Sequence, residues 1–292
     1  MKALTGPLLA ILAATGFSAK AIFIKLAYAA GPVDAVTLLA LRLLLSLPFF
    51  AAMVWWGGRG REPISKQDWA KLIGLGFLGN YAASIFDFYG LQYISAALER
   101  LILFTYPAIV VLFSAVFLGR AVHGREIVAT LLSFSGIALV FWRDLRFTGD
   151  ARALWTGSAL VFGASLTYAL FLLFNTPIIR RVGPMRFTGV VTMASAGFVF
   201  AHFLAVQPVS KLWVNPRVMW LAVGLALVST TIPNWLTAEA IKRIGSSRFA
   251  IIGTIGPILT IFMGGFFLNE PLTLELLAGS ALVLGGIALV SR

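Results

Sequence analysis

The chain has 292 residues; 60% are hydrophobic, only 12% are charged, and the formal net charge is +12. Soluble domains carry about 25% charged residues, so a soluble globule, a disordered chain and a collagen-like fibre are excluded. The basic residues are scattered between apolar runs, which speaks against nucleic acid and for a membrane surface, while the absence of Cys removes disulfides, thiol nucleophiles and thiolate metal sites.

A membrane-crossing helix needs about 20 mostly apolar residues, and ten such runs follow one another along the chain. The first, 5–27, holds Phe17, Lys20 and Lys25; only Lys2 precedes it, and its length and internal lysines mark it as a spanning helix, not a signal peptide. The second, 34–56, carries Arg42, and the third, 69–91, carries Asn80, Tyr81, Ser84 and Asp87. The fourth, 95–118, has Tyr106 and Pro107; the fifth is 125–142; the sixth, 153–175, contains Tyr168; the seventh is 187–206. The eighth, 216–239, carries Thr230, Pro233, Asn234, Thr237 and, at its end, Glu239, and the ninth, 247–268, carries Pro257 before the last run at 273–290. Most of the short connections hold Gly, Pro or charge. Seven of the eight Trp lie near run ends (Trp55, Trp56, Trp69, Trp142, Trp155, Trp213 and Trp220), as an aromatic belt at headgroup depth requires; Trp235 is the exception.

Basic residues set the orientation. With a cytoplasmic N-terminus, the inner segments hold Lys2, Arg59, Arg61, Lys66, Lys71, Arg120, Arg125, Arg180, Arg181, Arg186, Lys242, Arg243, Arg248 and Arg292, against Arg100, Arg143, Arg146, Arg152, Lys211 and Arg217 outside. This bias of 14 to 6 places both termini in the cytoplasm and requires an even number of spans.

The sequence also repeats. Shifted by 150 positions, residues 94–140 fall on 244–290 without a gap: Pro107 meets Pro257, Phe117-Leu118 meets Phe267-Leu268, and Gly136-Ile137-Ala138-Leu139-Val140 meets Gly286-Ile287-Ala288-Leu289-Val290. The expected organisation is one transmembrane domain over 1–292, with repeat one at 1–146 and repeat two at 151–292. Five helices per unit is an odd number, so the second unit enters from the opposite face. The result is an all-α, five-plus-five inverted repeat, an architecture of transporters with a site near mid-bilayer.

The stretch Phe17-Ser18-Ala19-Lys20-Ala21-Ile22-Phe23-Ile24-Lys25, then Gly31-Pro32 and Leu41-Arg42-Leu43-Leu44, resembles the first helix pair of the drug/metabolite transporter superfamily in its EamA-type branch. Leu268-Asn269-Glu270-Pro271-Leu272, followed by a Gly-Ile-Ala-Leu-Val helix, is similar to that branch's repeat ending. The resemblance covers nearly the whole chain and implies ten helices and export of small organic metabolites, with bacterial amino-acid exporters the most similar. One departure stands out: repeat one has Gly119-Arg120 where repeat two has Asn269-Glu270.

The residues themselves show no zinc-protease, serine-hydrolase or phosphate-loop motif, so the chain is expected to be no enzyme and no ATP-driven pump. With His123 and His202 isolated, neither metal nor cofactor is expected. Asn80, Ser84 and Asp87, spaced i, i+4, i+7, predict one polar face on the third helix, and the shift of 150 places Thr230, Asn234 and Thr237 on the eighth. A polar stripe is costly against lipid. Both should line a shared hydrated cavity, beside Tyr81; the plainer alternative is interhelical hydrogen bonding. Lys20, Arg42 and Asp87 are intramembrane charges that either contact a substrate or pair with one another, and Lys25 and Glu239 should snorkel. Phe17, Tyr106 and Tyr168 are candidate aromatic walls, and Pro107 and Pro257 are either hinges or fixed kinks. These features predict a small-solute transporter working by alternating access, and the resemblance implies one that exports amino acids across the bacterial inner membrane. A drug or quaternary-cation exporter is the alternative within transport, and a membrane scaffold or sensor the alternative outside it.

Overall fold

The computed structural model describes residues 5–290; Lys2 and Arg292, both used in the charge count, lie outside the described residues. Among the described residues every regular element is helical. In chain order the helical rods are α1 (Gly6–Ala30), α2 (Ala35–Gly58), α3 (66–90), α4 (Ala96–Leu118), α5 (Gly124–Thr148), α6 (Ala151–Val182), α7 (Pro184–Val206), α8 (Pro216–Gly245), α9 (Ile251–Leu268) and α10 (Leu274–Val290). Among the described residues eight of these, all but α3 and α10, are single helices long and apolar enough to cross a bilayer, and α10 is a shorter apolar helix. The outer surface is what lipid demands: Val116, Leu118, Leu131, Phe266 and all eight Trp are exposed.

Local chemistry sets the boundaries. Asp34, Ser65, Ser95, Asp150 and Asn215 each accept a hydrogen bond from the backbone N–H three residues on, capping α2, α3, α4, α6 and α8. At the far end of α4, Gly119 adopts φ 64°, and at the far end of α9 Asn269 adopts φ 54°. Asn is one of the few residues besides Gly that enters this left-handed region readily.

The repeat read from sequence is repeated in detail by the backbone. A π turn spans Gly76–Ala82 in α3 and Leu227–Thr231 in α8. The helix hydrogen-bonding breaks at Phe104–Thr105 in α4 and at Thr254–Ile255 in α9. The left-handed caps at Gly119 and Asn269 complete the series, all at or near the shift of 150.

Packing obeys the same exchange. α1 lies against α8 and α9, and α6 lies against α3 and α4; α2 meets α7 and α5 meets α10; α3 also touches α7, and α8 touches α2. Swapping each rod for the one five places later maps this set onto itself, as a pseudo-two-fold relation between the two runs of five requires.

Pro107 and Pro257 do not sit in mid-helix. Each follows its break and occupies the first turn of the half-helix Tyr106–Leu118 or Gly256–Leu268, where a missing N–H costs nothing. The bend therefore lies just before the proline.

Candidate functional site

The costliest groups in an apolar bundle are its buried charges, and the structure gathers them where α1, α3 and α4 meet. Lys20 of α1 donates from Nζ to Asp87 Oδ2 at 2.6 Å and lies 3.6 Å from Glu99 Oε1 of α4. Asp87 is 2% exposed and Glu99 0%. The neighbouring Arg100 donates from Nε to Thr260 Oγ1 of α9 at 2.9 Å and from Nη2 to the Phe17 carbonyl of α1 at 2.6 Å. Arg42 of α2 donates to Ser84 Oγ at 3.3 Å, its guanidinium 5.2 Å from the Phe88 ring centroid. A charge at helix centre costs about 2.5 to 3.5 kcal/mol on insertion scales, and pairing Lys20 with two acids offsets part of that.

The broken half-helices meet α1 and α6. Ser18 Oγ is 2.9 Å from the Gly256 carbonyl at the α9 break. Thr105 Oγ1 is 3.0 Å from Ser165 Oγ of α6 at the α4 break. At the α4 break the Leu103 carbonyl, which Pro107 has no N–H to serve, accepts from Ser165 Oγ at 3.1 Å. Beside them Tyr106 and Tyr168 meet edge to face at 5.2 Å, and Phe104 packs on Tyr106 at 5.8 Å. The aromatic group touches the charge cluster through Phe104, whose ring centroid lies 5.8 Å from the Arg100 guanidinium.

The expected site residues therefore separate. Lys20 and Asp87 are joined, Tyr106 and Tyr168 are joined, and Phe17 meets the charge cluster through its carbonyl. Asn80 instead donates to Thr192 Oγ1 of α7 at 3.1 Å, and Tyr81 Oη lies 3.0 Å from His202 Nδ1, its ring among Phe77 and Phe198. Ser84 belongs to Arg42. The single polar face expected on α3 is thus split among α7, α2 and α1. Asn80 lies inside the π turn at Gly76–Ala82, which changes its angle relative to Ser84 and Asp87 in the regular helix that follows. On α8, Thr230 Oγ1 donates to the Leu225 carbonyl, five residues back, and Asn234 Nδ2 donates to the Thr230 carbonyl. Both groups thus bond to backbone at or beside the second π turn. α3 packs on α6 and α7 while α8 packs on α1 and α2, so the two helices do not pack against each other.

Sequence reasoning missed Glu99 and misassigned Arg100 and Arg143 to outer loops. Arg100 is 5% exposed, and Arg143, 4% exposed, donates to Asp144 Oδ1 at 2.6 Å and to the Pro271 carbonyl. Glu99 and Arg100 stand only four and five residues from the Ser95 cap, a place that reads as a helix end. The available signal was an acid and a base flanked on both sides by apolar residues. Lys25, expected to snorkel, donates to the Ile94 carbonyl at 2.7 Å, and Glu239 pairs with Arg243 at 2.7 Å.

The departure at the repeat ends also resolves. Glu270 accepts from the Ala96 N–H at 2.8 Å and the Ala97 N–H at 3.3 Å, capping α4 with a full negative charge. Its counterpart Arg120 instead pairs with Glu126 of α5 at 2.7 Å. Glu270→Gln should lower thermal stability in detergent by about 1 kcal/mol, the worth of a charged cap, whereas Arg120→Gln, at a half-exposed pair, should cost less. Equal melting temperatures for parent and Glu270→Gln would show that the cap contributes nothing.

Comparison with known proteins agrees with this architecture. The model of the EamA-like transporter family matches twice, over residues 4–142 and 155–292. An uncharacterized transporter, YcbK of Bacillus subtilis (strain 168), is 30% identical over 282 residues, 94% of this chain and 88% of its own. The threonine/homoserine exporter RhtA of Escherichia coli (strain K12) is 30% identical over 131 residues, 44% of this chain and 43% of its own. A solved crystal structure covering 97% of this chain and 95% of its own superposes with a TM-score of 0.68 at 19% identity, a match of fold. The doubled match, one to each run of five rods, means that this multi-pass membrane protein belongs to the EamA-like transporter family.

Proposed function

We propose that the protein exports amino acids, neutral or aromatic ones foremost, across the bacterial inner membrane by alternating access of its two halves. All ten rods cross the bilayer, 1–146 and 151–292 form the inverted units, and both termini are cytoplasmic. Breaks at Phe104–Thr105 and Thr254–Ile255, ahead of Pro107 and Pro257, serve as the hinges.

The observation that carries this reading is the buried Lys20–Asp87 pair together with the Tyr106–Tyr168 wall, which Phe104 connects to Arg100 beside Glu99. An amino acid presents the same combination: a carboxylate for Lys20, an ammonium for Asp87 and an apolar side chain for Phe17, Tyr106 and Tyr168. Asn80, Tyr81, Ser84, Arg42, Thr230 and Asn234 act by fixing the helices that present these groups. The relative RhtA, named for threonine and homoserine export, supports the substrate class over the part it matches.

The test is counterflow in proteoliposomes with labelled threonine, homoserine, leucine and phenylalanine. At least one should exchange above protein-free vesicles. Tyr168→Ala should slow phenylalanine by up to about tenfold, the worth of one aromatic contact. Exchange of a quaternary cation with no amino-acid exchange would replace the reading by drug efflux, where the same wall would act through cation–π contact. No exchange of either class would return the protein to a scaffold or sensor role.

A further inference from the structure

We propose that the protein carries a carboxylate-capturing mouth at each end of the bundle, one on α1 and one on α6, where a solute with an anionic head and an apolar body rests before or after it crosses; this deepens the transport reading above and rests on it. The first is a cavity of about 440 Å³ lined by Lys25, Tyr28 and Gln92 beside the apolar Val33 and Leu91. The second is a cavity of about 510 Å³ lined by Thr176, Arg180 and Arg181 beside Leu173 and Pro177. They stand at opposite ends. Gly157 of α6 packs on Gly90 and Ile94, at the end where Lys25 donates to the Ile94 carbonyl, and Arg180 is about 35 Å further along the same helix.

The repeat relates the two. At the shift of 151 that carries Gly6 onto Gly157 and Phe17 onto Tyr168, Lys25 falls on Thr176 and Ala29 on Arg180. The corresponding stretch of helix is hollow in both halves, yet the cation in the hollow comes from a different turn in each. The shared backbone therefore does not account for the shared charge. Topology does not account for it either. With the orientation proposed above, Arg180 is at the inner end, where bases are ordinary, and Lys25 is at the outer end, where they are not.

Neither cation is neutralised. Among the described residues no carboxylate lies within ion-pairing distance of Lys25 or Arg180. Lys25 spends one of its ammonium donors on the Ile94 carbonyl and keeps the others. The acids beside it are committed elsewhere, Glu270 to the Ala96 and Ala97 N–H groups and Asp144 to Ser95 and Arg143. Arg181 is held by Asp68 at 2.7 Å, so Arg180 is the base the inner cavity leaves open. A carboxylate supplies the charge-assisted partner each base lacks, and the apolar lining covers the rest of the solute. Lys20 and Lys25 both reach from α1 toward the start of α4, at Glu99 and Ile94, so the outer mouth opens next to the buried pair.

The chain has no Cys, so Gln92→Cys and Thr176→Cys each place one reporter thiol at one mouth. With the full chain in phosphatidylcholine nanodiscs, whose two faces are open to buffer, labelling of each thiol by N-ethylmaleimide is timed. At about ten times its half-saturating concentration, phenylacetate should slow both about tenfold, and the neutral phenylacetamide should slow neither. Adding Lys25→Met should remove protection at Gln92→Cys and leave it at Thr176→Cys. Adding Arg180→Met should do the reverse, which a global change of shape would not. Lys25→Arg should keep the protection, and the exposed Arg180 decides the matter if Lys25→Met fails to fold. The amino acid that shows counterflow should protect as phenylacetate does, and its methyl ester should not. Equal protection by the amide, protection that survives both Met changes, or a counterflow substrate that protects neither thiol overturns the proposal. So does protection in phosphatidylglycerol nanodiscs with no acid added, which would assign the mouths to lipid headgroups. If no amino acid gives counterflow, the transport reading falls and phenylacetate still decides the two mouths.

Discussion

Lys20→Met should destabilise the folded protein by about 3 to 5 kcal/mol, because it leaves Asp87 and Glu99 buried without their cation. That is a large fraction of the roughly 5 to 15 kcal/mol that typically holds a fold together, so the variant should reach the membrane at reduced yield and melt early in detergent. The double change Lys20→Met with Asp87→Leu should recover most of the loss, since a buried pair can be exchanged for apolar groups of similar size at little cost. It should not recover transport. Thermal unfolding of the two variants beside the parent checks both statements. A Lys20→Met protein that melts with the parent would mean that the cation supports neither acid.

The second large effect is expected where α5 meets α10. Gly136, Gly279 and Gly286 line this seam and let the two backbones approach closely, as small residues do between membrane helices. A Cβ at Gly286 would stand 2.5 Å from the Ala129 carbonyl oxygen, and one at Gly279 would stand 2.6 Å from the Gly136 carbonyl oxygen. Both obstacles are backbone, so the rods themselves must part. Gly286→Leu should cost about 3 kcal/mol or more, the upper end for overpacking. At the neighbouring Gly285, a Cβ would meet nothing within 4 Å, and Gly285→Leu should be near neutral. Size-exclusion profiles and melting curves of the pair test the seam directly. Equal behaviour of the two leucine variants would show that α5 and α10 are not closely packed in the membrane.

The positions of the rods were legible because each apolar run is long against a fixed bilayer thickness. The repeat was legible because Gly136–Val140 and Gly286–Val290 are the same five residues, kept by the same α5–α10 contact. The charge cluster was harder to see. Glu99 and Arg100 lie within a turn and a half of a cap, where charges ordinarily face water, and only the packing of α4 against α1 and α9 encloses them. The polar stripe on α3 was visible as residues but not as a face. Its geometry assumed about 3.6 residues per turn throughout, and Gly76–Ala82 departs from that period without Pro or any other marker to announce it. Gly79 hints at the cause only in hindsight, since its missing side chain makes room for Phe171 of α6.

Glu270, clasping the first turn of α4 with no counterpart at Arg120, bears on the resting poise of the molecule. If two halves with identical chemistry traded shapes, the two resulting conformers would be images of one another and equally populated. A clasp on one end alone breaks that degeneracy. A difference of about 1.4 kcal/mol between the conformers is a tenfold difference in occupancy, which lies within reach of one charged cap. Were the halves to trade shapes, the conformer that keeps the Glu270 clasp would be the more occupied by that factor.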